Sequence, residues 1–170
     1  MREVYIGIDN GVTRSSIGYM NTITGEYFYK EMPIKNGRDY TQREKNITRI
    51  VYSDLCDIFK RWLTVDKNQT FILLERPMIN PERFEASIVA ARAYEIVITA
   101  IEQFNIEFDT IDSRLWQKKL LPIGTKGEAD LKQASFDLGL KLFPSCISTI
   151  LKVQDADGLM IALYAKTMEL

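Results

Sequence analysis

The sequence contains no histidine. That absence excludes Ser-His-Asp and Cys-His nucleophilic catalysis, histidine metal sites and imidazole acid–base chemistry together. An enzyme built from this chain must work with carboxylates and lysines. Cysteine is scarce too. Cys56 and Cys146 lie far apart without metal-type spacing, which fits a reducing, cytosolic setting rather than a disulfide framework. No stretch approaches the ~18 apolar residues of a membrane span, and the N-terminus lacks a signal-peptide pattern, so no membrane partner is expected. The net charge of −1 excludes overall basicity, so any contact with nucleic acid must use local patches. Internal repeats, low-complexity tracts and long linkers are also missing. What is present is 170 residues at 46% hydrophobic and 26% charged, the size and composition of one domain, 1–170, with a full core.

The first patterned stretch is Val4-Tyr5-Ile6-Gly7-Ile8-Asp9-Asn10-Gly11, an apolar strand that runs into a carboxylate and then glycine. Residues 15–20 and 26–32 read as two further strands across short turns, an antiparallel meander. From about Thr41 the spacing of Ile47, Ile50, Val51, Leu55, Ile58, Phe59 and Trp62 predicts one long amphipathic helix. Its start (Arg43, Lys45, Arg49) and the loop before it (Lys35, Arg38) are basic, as a solvated helix face often is. Residues 70–77 form another buried strand, ending at Glu75 before Arg76-Pro77. Asn80-Pro81 then caps a helix reaching about Phe104. That helix is apolar over much of its girth, which fits burial by its own sheet alone or by a second subunit as well. A fifth strand at 106–111 precedes a short helix at 113–119, a loop at 121–127, a helix at 129–142 and a closing helix opened by Asp155-Ala156-Asp157-Gly158. The order predicts an α/β fold: a mixed five-stranded sheet, three antiparallel strands and then parallel ones, with helices on both faces. Right-handed crossovers bring the strand ending at Glu75 beside the one carrying Asp9.

Four carboxylates then converge. Asp9 and Glu75 end neighbouring strands, and Asp155 and Asp157 open a helix that packs on the same sheet. Each has a local reading: Asp9 as a turn former, Glu75 as an ion-pair partner, Asp155 as a helix cap and Asp157 as a complement to the helix dipole. Together, and without histidine, they would repel one another unless a hard divalent ion such as magnesium or manganese joined them. Two such ions ~4 Å apart support phosphodiester hydrolysis. Residues 113–126 add four basic residues, Arg114, Lys118, Lys119 and Lys126, and no acidic one, a candidate DNA-binding patch.

Three segments resemble the acidic motifs of RuvC-type Holliday-junction resolvases in the ribonuclease H-like superfamily, most nearly the phage-borne forms. They are Ile6-Gly7-Ile8-Asp9-Asn10-Gly11, Leu73-Leu74-Glu75-Arg76-Pro77 and the run from Ala156-Asp157-Gly158 to Tyr164. Trp116-Gln117-Lys118, the run from Lys126-Gly127 to Lys132, Ser135 and Leu142-Phe143-Pro144 resemble the basic region before the last motif. The likeness spans essentially the whole chain in the right order. It implies a magnesium-dependent endonuclease acting as a homodimer on four-way or other branched DNA, with Asp9, Glu75 and Asp157 as metal ligands. It implies a role in recombination and repair, in the cytoplasm or, for a viral protein, the host's cytoplasm. The family also places lysines near the scissile phosphate, and Lys118, Lys126 and Lys132 are candidates. One position departs: where the family commonly has a fourth carboxylate, three residues before the last, this chain has Gln154. Asp155 can take its place beside Asp157 only if it lies just before the helix begins, because two residues apart on a helix they point to nearly opposite faces.

Other readings share these residues. Actin-like ATPases and sugar kinases also open with strand, Asp, Gly and a hydroxyl residue, yet they need two such domains and a second phosphate loop. Ribosomal-RNA-processing nucleases of the same superfamily are usually shorter, and the basic 113–126 region is less expected in them. A junction-binding protein that does not cleave has no use for clustered acids beside phosphate.

Overall fold

In the computed structural model, which describes residues 2–38 and 46–170, seven strands and six α-helices follow one another. They are β1 (Val4–Ile8), β2 (Ser16–Asn21), β3 (Tyr27–Glu31), β4 (Ile34–Arg38), β5 (Asn46–Ile50), α1 (Tyr52–Trp62), β6 (Thr70–Glu75), α2 (Phe84–Phe104), β7 (Glu107–Ile111), α3 (Ser113–Leu120), α4 (Glu128–Leu142), α5 (Ile147–Val153) and α6 (Asp157–Thr167). The main sheet runs β3-β2-β1-β6-β7, antiparallel from β3 to β1 and parallel from β1 to β7. This is the mixed five-stranded α/β arrangement expected from the order of elements.

The alternation of side chains divides the sheet into two cores. Val4, Ile6, Ile8, Ile72 and Leu74 pack with α1 and α2. Tyr5, Phe71 and Leu73 pack on the other face with Trp116 of α3 and with Leu159 to Ala162 of α6. By the same alternation Gly7 and Asp9 belong to the α6 face. No single helix among the described residues is long and apolar enough to cross a membrane.

Two elements differ from the sequence reading, and a third is only half buried. Of the long helix expected from Thr41, residues 46–50 are instead β5, paired antiparallel with β4, and α1 starts at Tyr52; the expected start, with Arg43 and Lys45, lies outside the described residues. Ile47-Thr48-Arg49-Ile50-Val51 is rich in β-branched residues, and extended pairing with β4 outweighs the helical spacing of Ile47, Ile50 and Val51. A short helix, α5, fills the break after Phe143-Pro144. The described residues leave much of the first half of α2 uncovered: the buried residues of the helix are Ala93, Val97, Ala100 and Ile101, while Phe84 is 68% exposed.

Candidate metal centre

Parallel pairing of β1 with β6 sets Ile8 opposite Leu74, so Asp9 and Glu75 leave the sheet side by side. α6 reaches them because three glycines remove the side chains that would hold it away. Gly7 and Gly18 are register partners on β1 and β2, and Gly158 of α6 lies over both. A Cβ at Gly7 would stand 2.2 Å from the Gly158 carbonyl oxygen, and one at Gly18 would stand 2.5 Å from the Gly158 carbonyl carbon. This backbone-on-backbone seat delivers Asp157, the first residue of α6, to the end of β1.

Carboxylate oxygens of Asp9, Asp155 and Asp157 lie within 4.8 Å of one another, and Asp155 and Asp157 are buried. Asp155 does precede the helix. Its Oδ1 accepts from the backbone N–H of Asp157, the first residue of α6, and the Tyr29 hydroxyl donates to its carbonyl oxygen at 2.8 Å. Its Oδ2 is buried with no hydrogen-bond donor among the described residues, and the Lys132 ammonium approaches it at 3.8 Å. The oxygen bonded to the α6 backbone and the oxygen left without a donor are therefore the two different oxygens of one carboxylate. Ser135 of α4 donates to Asp157, and the Trp116 indole of α3 donates to Glu75 at 2.7 Å.

Burial holds all four acids above the usual carboxylate range. Desolvation is the largest cause for Asp9, with Glu75, Asp157 and Asp155 adding repulsion. Glu75 is pushed up to about 7 by burial against the pull of the Trp116 hydrogen bond, and Asp155 to about 7 by burial and the charge of Asp157. Burial also raises Asp157, while Ser135 and Lys132 oppose it. Crowded, desolvated oxygen donors, one of them with a buried oxygen lacking any donor, are the donor set that suits a hard divalent cation.

The sign of the resulting pH dependence follows. A carboxylate with a raised folded-state pKa favours folding when protonated, and that contribution is lost as pH rises from the unfolded value near 4 through about 7. Metal-free protein in EDTA should melt at least about 3 °C lower at pH 8 than at pH 5. Millimolar magnesium or manganese should raise the melting temperature more at pH 8 than at pH 5. Calorimetry showing the reverse order would remove the electrostatic argument.

The candidate lysines separate. Lys132, on α4, faces Asp9, Glu75, Asp155 and Asp157 and partly offsets their charge. Lys126 in the 121–127 loop, and Lys118 and Lys119 on α3, are exposed and make no ion pair among the described residues. Arg114 is exposed and bonded to Asp112, the cap of α3, at 2.7 Å. Tyr29, Trp116 as a hydrogen-bond donor, and the seat formed by Gly7, Gly18 and Gly158 had no assigned role in the sequence reading. Glycines inside otherwise apolar strands were the available signal for the seat.

No family model and no curated protein sequence matches the chain. Solved structures do. RuvC of T. thermophilus in complex with Holliday junction substrate aligns at a TM-score of 0.54 and 13% identity, covering 98% of this chain and 96% of that one. The fowlpox virus Holliday junction resolvase aligns at 0.55 and 12%, covering 97% and 99%. With its sheet order, the chain has the ribonuclease H-like fold of RuvC-type Holliday-junction resolvases.

Proposed function

We propose that the chain is a divalent-metal-dependent endonuclease that hydrolyses phosphodiesters in Holliday junctions or other branched DNA. The observation that carries this reading is the cluster of Asp9, Asp155 and Asp157 within 4.8 Å, with Glu75 at the adjoining strand end, on a fold shared with junction resolvases. In this reading Asp9, Glu75, Asp157 and the free oxygen of Asp155 hold the metal. Magnesium, with manganese able to substitute, supplies the Lewis acidity for the attacking water and the leaving oxygen of a two-metal displacement. Trp116 and Ser135 fix the Glu75 and Asp157 carboxylates in place before substrate arrives, and Tyr29 holds the Asp155 backbone. Lys132 holds positive charge beside Asp155, where it can also meet a substrate oxygen, and Lys126 is the second candidate for that role. Arg114, Lys118, Lys119 and Lys126 offer phosphate contacts along α3 and the following loop.

The reading extends to a homodimer in the cytoplasm, serving recombination and repair. The uncovered start of α2, with Phe84 exposed next to Met78 and Ile79 in the preceding loop, is the apolar surface a second copy would cover.

The direct test is cleavage of matched four-way, three-way and linear duplexes with magnesium. Branched substrates should be cut at least about tenfold faster than linear duplex, a difference of roughly 1.4 kcal/mol in barrier. If no branched substrate is cut with magnesium or manganese, the chain is not this enzyme.

A further inference from the structure

We infer that the cleft between the β1–β2 loop and α4 is a subsite for a phosphodiester of the DNA strand next to the bond that is cut. The inference rests on the nuclease reading and adds a substrate contact to it.

The cleft has a volume of about 430 Å³ and is lined by three separate segments. Arg14 comes from the β1–β2 loop, Gln154 from the α5–α6 junction, and α4 supplies Glu128, Lys132 and Gln133. Lys132 ties the cleft to the carboxylates, because its ammonium also stands 3.8 Å from Asp155 Oδ2. A group bound in the cleft is therefore one lysine away from the proposed metal centre. A strand threaded past that centre must place a neighbouring phosphate close by, since successive phosphates advance only about 3.4 Å along the duplex axis.

The lining suits that phosphate. Arg14 and Lys132 exceed Glu128 by one positive charge. Gln133 donates one amide hydrogen to Asp137 at 2.9 Å and Gln154 donates one to Leu151 O at 2.7 Å, which leaves each a second hydrogen. Arg14 is exposed and makes no ion pair among the described residues. A guanidinium offers paired donors that match the geometry of phosphate oxygens. Arg14 at φ 53° and Gln154 at φ 60° both occupy the left-handed region, which non-glycine residues adopt at a cost of about 1–2 kcal/mol. Such conformations persist where surrounding structure holds them, often at ligand clamps.

The experiment measures junction affinity in EDTA as a function of salt, for wild type, Arg14→Asn and Arg14→Lys. Asparagine tolerates the left-handed conformation, so Arg14→Asn should keep the wild-type melting temperature. Its Kd should rise about tenfold, and the slope of log K against log salt should fall by about one phosphate's worth. Arg14→Lys should restore the slope and only part of the affinity. In parallel, single neutral methylphosphonates are placed at each position flanking the cleavage site. One position should weaken wild type about tenfold and leave Arg14→Asn unaffected.

Unchanged affinity and slope for Arg14→Asn, in a wild-type background that binds and cuts junctions, would overturn the subsite and leave the nuclease reading standing. Sensitivity spread evenly over all methylphosphonate positions would also overturn it, since Arg14 would then belong to a diffuse patch. A wild type that neither binds nor cuts removes both readings.

Discussion

Asp9→Asn should abolish cleavage, by about 10³-fold or more, while junction binding in a gel-shift assay survives. The substitution keeps the shape of the side chain and replaces one carboxylate oxygen at the end of β1, where an Asp9 oxygen lies within 4.8 Å of oxygens of Asp155 and Asp157. Metal-supplied stabilisation of a phosphodiester transition state is worth several kcal/mol, and each ~1.4 kcal/mol is tenfold in rate. Binding is a separate quantity, because phosphate contacts come from basic side chains elsewhere. The same variant carries a second expectation that a purely structural aspartate would not share. Asp9 is held far above the usual carboxylate range, by burial first and then by repulsion from Glu75, Asp157 and Asp155. Removing its charge should raise the melting temperature of metal-free protein at pH 8 and shrink the further rise produced by magnesium. Full cleavage by Asp9→Asn would eliminate the proposed centre, whatever the binding data showed.

Much of this was legible before any coordinates, and the reason is local. Val4 to Ile8 and Phe71 to Leu74 run without a charged or hydrogen-bonding aliphatic side chain, as strands covered on both faces must, and each is followed by a carboxylate. Chain order and crossover handedness then set the two ends side by side. The stretch from Ile47 to Val51 failed because its spacing satisfies a helix and a strand equally, and only pairing with β4 decides between them. Asp155 could not be resolved from sequence because its role depends on a one-residue question, whether α6 starts at Asp157 or earlier. Lys132 could not be told from Lys126, since both are lysines near the same helix start. The packing of α4 beside α6 turns one of them toward the acids. Tyr29 and Trp116 were invisible as partners of Asp155 and Glu75, because their contacts join residues 126 and 41 positions apart.

The glycine seat carries the largest expected effect on the fold. Gly7→Ala puts a methyl group 2.2 Å from the Gly158 carbonyl oxygen and 2.3 Å from the Ala162 nitrogen. Both are backbone atoms of a buried helix, so no side chain can swing aside. Either α6 rises from the sheet or β1 bends. Overpacking of a core usually costs about 1–3 kcal/mol. A clash with two backbone atoms belongs at the upper end, a fall of roughly 10 °C in melting temperature for a chain of this size. Gly37→Ala is the matched control, because its added Cβ meets nothing within 4 Å among the described residues, and it should leave the melting temperature unchanged. The functional effect should exceed the stability effect. α6 begins with Asp157, so lifting it draws Asp157 away from Asp9 even in molecules that remain folded. A displacement of about 1 Å in a reacting constellation can cost 10²-fold. Cleavage measured at a temperature where Gly7→Ala is still folded should therefore fall by about that factor, and the magnesium-dependent rise in melting temperature should diminish with it. A folded Gly7→Ala that cuts at the wild-type rate would mean that the approach of α6 to β1 does not set the geometry of the acids.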